Sequence, residues 1–161
     1  MNPITKLLPV SNVVLDLDVG SKKRVFEQAG ILFENNHSVG RSLVFESLFA
    51  RERLGSTGLG QGIAIPHGRI KGLREALGAL VRVAQPIPFD APDGKPVRLI
   101  FLLLVPEKAT DAHLQILSEL AQMFSDRSFR ESLLASDSPV AAHALITGWR
   151  PNASAERSAA V

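Results

Sequence analysis

The chain has no cysteine among its 161 residues. That excludes disulfides, thiolate metal sites and a cysteine nucleophile. Charge of one sign is also missing. Eighteen basic side chains face sixteen acidic ones, for a net charge of +2, with none of the basic excess that marks nucleic-acid binding. No apolar run approaches the ~20 residues that a membrane helix needs. The N-terminus has no basic segment followed by an apolar one, so no signal peptide is expected. A cytoplasmic chain without membrane insertion fits these absences. The serine-hydrolase pattern Gly-x-Ser-x-Gly is absent. No two histidines stand at helical metal-ligand spacing, so neither a metal nor a cofactor is expected. Gly58-x-Gly60-x-Gly62 suggests a nucleotide loop, but it opens no long helix and lacks the Gly-Lys-Ser/Thr ending. Internal repeats are absent.

What is present fits one globular domain. A 45% hydrophobic content over this length can fill one sizeable core. Helical and strand signals alternate, which predicts an α/β fold. Val13 to Leu15 form a short strand patch. Ser21 caps a helix carrying Val25, Phe26, Ala29, Ile31, Leu32 and Phe33. Ser38 or Ser42 begins a second helix with Leu43, Val44, Phe45, Leu48 and Phe49, which stops near Gly55. Strand signals follow at Gly62–Ile65 and Ala79–Val83. Pro86, Pro88, Pro92 and Asp93-Gly94 mark a loop and a turn between antiparallel strands. Val97–Val105 is apolar apart from Arg98 and reads as a strand buried on both faces. The expected architecture is therefore a single domain, a mixed central β-sheet with helices on both faces. Three further helices are read at Asp111–Phe124, Arg127–Ala135 and, from the Ser138-Pro139 start, as far as Gly148. Trp149 is expected to pack against the body. Residues 150–161 are small and polar and read as a disordered tail.

The most informative residue is His67. Ile63, Ala64 and Ile65 form a short buried strand, and Pro66 stops it because proline has no N–H for a ladder. Gly68 lets the backbone come close to whatever the imidazole holds. A histidine framed in this way is a nucleophile presented to a partner. The spacing alone fits equally a loop histidine that merely caps a turn.

The run Gly60-x-Gly62-Ile63-Ala64-Ile65-Pro66-His67-Gly68, preceded by Arg51-Glu52-x-Leu54-Gly55-Ser56-Thr57, resembles the IIA domain of the fructose/mannitol branch of the bacterial phosphotransferase system. It looks most like the stand-alone nitrogen-related IIA proteins. The resemblance covers roughly residues 4–147, so residues 1–149 are taken as the IIA type-2 domain and 150–161 as its tail. It implies a phosphotransferase component in which His67 carries a phosphoryl group received from a small, histidine-phosphorylated, HPr-like carrier protein. The IIB domain of this branch uses a cysteine as acceptor. With no cysteine, no active IIB is expected in this chain, and the length leaves no room for a membrane IIC domain. The onward acceptor is then another molecule, or water. Two roles follow from the resemblance. One is a regulator whose phosphorylation state governs transporters, sensor kinases or transcription machinery. The other is a sugar-uptake component that feeds a separate IIB protein.

The resemblance also implies supporting residues. His113 matches a second histidine that the family carries at the start of a helix, and Arg51 matches an arginine kept near the active histidine. By periodicity His113 shares a face with Leu117, Leu120 and Phe124, which aims it inward; that position also fits a half-buried structural histidine. Arg51 can bind a phosphoryl group with two hydrogen bonds, or can be a solvated helix-end cation. Ser56, Thr57, Gly68 and Arg69 are further phosphoryl-binding candidates, with Arg53 a weaker one. Leu59, Ile70 and Leu73 are the expected apolar rim for the donor. His37 is read as exposed, His143 as a surface or half-buried structural residue. Asp16, Asp18, Glu107 and Asp111 are read as solvated.

Overall fold

The apolar run at the centre of the sequence organises the sheet. β6 (Val97–Pro106) is buried at every position from Leu99 to Val105. On one side it pairs antiparallel with β5 (Leu77–Ile87), and β5 pairs parallel with β1 (Val13–Leu17). On the other side it pairs parallel with β3 (Ile63–Ala64) and β4 (His67–Ile70). β2 (Gly58–Gly60) closes that edge antiparallel to β3. The computed structural model describes residues 2–108 and 110–151. The tail expected at 150–161 thus lies outside the described residues from 152 onward.

Alternation along β6 divides the core in two. Phe101, Leu103 and Val105 face α1 (Ile4–Leu7), α4 (Asp111–Phe124), α5 (Arg127–Ala135) and α6 (Pro139–Gly148). Ile100, Leu102 and Leu104 face α2 (Lys22–His37) and α3 (Arg41–Arg53). Helices therefore cover both faces of a mixed sheet, as the alternating signals predict. Trp149 packs beside Phe129, with ring centroids 6.3 Å apart, and its indole N–H donates to Asp126 at 3.2 Å.

Several local expectations change. Pro66 interrupts the strand but does not end the ladder. Ile63 pairs with Leu99, Ala64 with Ile100 and His67 with Leu103, one constant offset on both sides of the proline. Proline lacks only the donor; its carbonyl still accepts from the Leu103 N–H at 2.9 Å. Ser38 does not start α3. It ends α2 in the left-handed conformation, φ 58°, and Gly40 precedes the first turn of α3. β5 runs on through Pro86 to Ile87, because the β5–β6 register shifts between Arg82 and Ile87 and the proline costs no ladder bond there. His37 is half-buried rather than exposed. Its Nε2 lies 2.8 Å from the amide of the fully buried Asn12, and burial holds its pKa below the ordinary 6.5. Asp16 is exposed as expected, but it also pairs with the buried Arg82, which donates to the carbonyls of Leu133, Leu134 and Ser136 at the end of α5. Burying an arginine is tolerable because all of these bonds offset its lost hydration.

Candidate functional site

β4 places the site. Partners across a parallel ladder share a face, so His67 and Arg69 lie on the α4 side with Leu103 and Val105. Gly68 and Ile70 lie on the α3 side. There α3 comes so close that a Cβ on Gly68 would meet the Ser47 side chain and stand 3.0 Å from the Ser47 carbonyl carbon. The Ser47 hydroxyl donates to the Arg69 carbonyl at 2.8 Å and fixes this approach. Arg51 lies one turn further along the same face of α3 as Ser47. The glycine that admits the helix thus delivers the arginine to the histidine.

The geometry of the His67 ring follows. Nδ1 lies 3.0 Å from the Ile65 carbonyl and Nε2 lies 3.3 Å from Arg51 Nε. A carbonyl can only accept and a guanidinium can only donate. The neutral ring therefore carries its proton on Nδ1, and its lone pair on Nε2 points at Arg51. Burial, followed by the Arg51 charge, holds the His67 pKa below the ordinary 6.5; the Ile65 hydrogen bond and the Glu52 carboxylate oppose this. Arg51 is itself steadied by donation from Nη1 to the Gly55 carbonyl at 2.8 Å.

His67 and Arg51 open onto a cleft of about 690 Å³ whose wall also includes Gly68, Arg69 and His113. His113 stands in the first turn of α4, half-buried. Its Nδ1 accepts the Thr110 backbone N–H at 2.9 Å, so its proton sits on Nε2, the free ring nitrogen. The two imidazoles share one cleft, but no hydrogen bond joins them among the described residues. His113 is thus brought to the cleft that holds His67, without a direct hydrogen bond between the two rings.

Ser56 and Thr57 are not brought to the cleft. The Ser56 hydroxyl donates to the Phe89 carbonyl at 2.6 Å, and Thr57 Oγ1 donates to Glu52 at 2.6 Å. Arg53 is exposed and lies over the Phe49 ring. The apolar rim also differs from Leu59, Ile70 and Leu73. Ile70 is buried under α3, and Leu59 lines a separate hollow with Phe124. The rim is Leu43, Leu54 and Leu114, which are 42%, 84% and 61% exposed. These three leucines were hidden because periodicity finds apolar residues that face inward, whereas a rim is made of those that do not.

Among the described residues no helix is long and apolar enough to cross a membrane, and no cluster of three or more histidine and acidic side chains could hold a metal. The comparisons with known proteins agree with the motif. Residues 6–148 match the family described as "Phosphoenolpyruvate-dependent sugar phosphotransferase system, EIIA 2". The chain is 39% identical over 144 residues to a nitrogen regulatory protein of Pseudomonas aeruginosa, covering 89% of this chain and 94% of that one. It is 40% identical over 98 residues to a fructose-specific EIIA component of Haloferax volcanii, covering 61% of this chain and 64% of that one. The crystal structure of nitrogen regulatory protein IIA-Ntr from Neisseria meningitidis superposes with a TM-score of 0.86 at 57% identity, over 90% of this chain and 99% of that chain. The strand–proline–histidine–glycine segment, the cleft it opens and these matches place the chain in the EIIA type 2 family of the phosphotransferase system, with clear likeness to its nitrogen-regulatory members.

Proposed function

We propose that this protein is a phosphoryl-carrying regulator: His67 accepts a phosphoryl group from a histidine-phosphorylated, HPr-like carrier, and the charge so gained changes which proteins it binds. The observation that carries the reading is the state of the His67 ring. Its Nε2 lone pair accepts from the Arg51 guanidinium at the wall of the cleft, while Nδ1–H is tied to the Ile65 carbonyl. A ring held as this tautomer is a nucleophile without any added base, and its lowered pKa keeps it neutral near pH 7.

The transfer balances simply. The Nε2 lone pair forms the new P–N bond as the donor's P–N bond breaks, and the donor imidazole leaves with that electron pair. The proton stays on Nδ1, donated in a hydrogen bond to the Ile65 carbonyl, and the donor ring leaves neutral when its own second nitrogen is protonated. Arg51 must slide from the lone pair onto the phosphoryl oxygens, a move of one hydrogen-bond length, where it steadies the charge that builds up. Arg69 and the His113 Nε2–H line the same cleft and supply further positive and donor groups. Leu43, Leu54 and Leu114 offer the donor an apolar seat around the reacting atoms. Positioning and electrostatics then account for the chemistry.

A phosphoryl group brings about two negative charges to a face that carries Arg51 and Arg69, enough to create or abolish a partner surface without refolding. The targets that this mode suits are transporters, sensor kinases or transcription machinery. The similarity to nitrogen regulatory proteins, spanning nearly their whole length, favours this role. The fructose-specific relative favours a second reading, passage of the phosphoryl group to the cysteine of a separate IIB protein.

The test has two stages. Incubation with phosphoenolpyruvate, enzyme I and the HPr-like carrier should place an acid-labile, alkali-stable phosphate on His67 and leave His67→Ala unlabelled. Undiminished labelling of His67→Ala ends the proposal. Labelled protein and His67→Ala should then capture different partners from lysate, with a coupling of about 1–3 kcal/mol. Rapid transfer to a sugar-specific IIB cysteine, with no state-dependent partner, leaves the sugar-uptake reading instead.

A further inference from the structure

Glu52 is the one acidic side chain among the described residues that is buried, 8% exposed, and nothing in the transfer chemistry above uses it. A buried carboxylate is costly unless its oxygens are occupied. Here both are. Oε2 accepts from Lys22 Nζ at 2.9 Å and from the Thr57 backbone N–H at 3.0 Å, and Oε1 accepts from Thr57 Oγ1 at 2.6 Å. Lys22 is itself held, with Nζ 4.6 Å above the Phe89 ring.

The bonds continue towards the nucleophile. The Thr57 carbonyl accepts the Ile65 N–H at 3.0 Å, and the Ile65 carbonyl accepts the His67 Nδ1–H at 3.0 Å. One unbroken line of hydrogen-bonded groups therefore runs from Lys22 through Glu52, Thr57 and Ile65 to the imidazole. A branch reaches the other side of the ring. Arg51, the chain neighbour of Glu52, donates to the Gly55 carbonyl, so Arg51 and Glu52 grip the same short turn at Gly55 and Thr57. A shift of that turn moves the carbonyl that sets the ring's tautomer and the anchor that aims the guanidinium.

We propose that Glu52 and Thr57, braced by Lys22, are positioning residues that fix the His67 ring and the Arg51 guanidinium relative to each other, and thereby set the rate at which His67 takes up a phosphoryl group. Thr57 then acts on the site from behind, through hydrogen bonds, and does not touch the phosphoryl group. Glu52 has a second effect through its charge, which opposes that of Arg51 at the imidazole. The inference rests on the phosphocarrier reading for its rate, but not for its geometry.

The experiment compares the full-length wild type with Thr57→Val, Thr57→Ser and Glu52→Gln. Phosphoryl uptake is followed in single turnover with the HPr-like donor, and the His67 ring nitrogens are followed by NMR across a pH titration. Thr57→Val removes the hydroxyl and keeps the backbone bond. It should slow uptake roughly tenfold, in the range for groups that orient a reacting one, and should alter the His67 nitrogen shifts. Thr57→Ser, which restores the hydroxyl, should recover both. Glu52→Gln should also slow uptake, and the His67 midpoint should move to lower pH because the opposing carboxylate charge is gone. Wild-type uptake rates and unchanged ring shifts in Thr57→Val, accompanied only by a lower melting temperature, would overturn the proposal and make the line a purely structural brace. If Glu52→Gln does not fold, the valine–serine pair decides. If the wild type takes no label on His67, the phosphocarrier reading falls while the ring shifts still decide the positioning role.

Discussion

The two walls of the cleft are built differently. On the β4–α3 wall, one nitrogen of His67 is engaged by Arg51 from another element, α3, the other by the Ile65 carbonyl two residues before it, and Gly68 lets a whole helix seat against the strand. On the α4 wall, the one hydrogen-bonded nitrogen of His113 is held by its own helix start, the Thr110 N–H three residues before it, and Leu114 beside it is 61% exposed. The first wall is fixed by tertiary structure, the second by a single helical turn. A reacting group must be held within a fraction of an ångström. A supporting donor can arrive with the ligand. On the proposed function, the contrast fits a covalent step at His67 and assistance from His113.

Perturbing the walls in turn tests that contrast. The largest effect short of removing the nucleophile is expected at Arg51. Arg51→Ala should fold, yet slow uptake of the phosphoryl group by roughly 10²-fold, the scale of one lost, preorganised electrostatic group. His113→Ala should cost less, on the order of tenfold, since its ring is held only by its own helix. Rapid-quench labelling of both proteins checks the order, and a larger loss at His113 would reverse the assignment of the walls. Gly68→Ala probes the seat itself. The added Cβ must push α3 away, which should cost about 1–3 kcal/mol of stability in a denaturant titration and slow uptake by separating Arg51 from His67. Unchanged stability would show that Ser47 gives way freely.

The smallest effect concerns pH. Burial and the Arg51 charge place the folded-state pKa of His67 below its unfolded value near 6.5. Protonation is thus harder in the folded protein. The sign follows: stability from this group is fully present above about pH 6.5 and declines as the pH falls through the window below it. The uptake rate should likewise hold its plateau through pH 6.5 and decline only lower. In Arg51→Ala the opposing charge is gone, so the decline should begin at higher pH than in the wild type. A matched pair of rate profiles decides this. Identical profiles would mean that Arg51 does not influence the ionisation of His67.

The fold was legible wherever pattern and position coincide. The uninterrupted run from Leu99 to Val105 could only be a strand covered on both faces, and the Ser21 and Ser138 starts announced their helices. Legibility failed where a residue does something other than its usual task. Pro66 sits inside a ladder that it was expected to close, because a parallel neighbour needs its carbonyl and not its missing N–H. Ser38 has the composition of a cap for α3, but its left-handed backbone makes it the end of α2. In the site, His67, Arg51 and His113 stood out through a family motif and helical spacing, and the structure gathers them around one cleft. Ser47 and Leu114 gave no signal in the sequence, while Glu52 and Leu54 stand in the motif and Leu43 on its helix without a role in the site that spacing could assign. Their importance comes from which elements meet, and that is a property of the packed sheet.

The constant offset across Pro66 has a consequence for how a signal can leave this site. His67 is not carried on a loop that can loosen by itself; it is paired in the same ladder as the most buried strand of the protein. The expected outcome is that hydrogen exchange at Leu103, in the buried strand, and at Gly68, in the same ladder, approaches the slow limit set by global unfolding. If His67 carries a phosphoryl group as proposed, that mark is not suited to broadcast by local melting and would be read where it stands, by a partner that meets the cleft face to face.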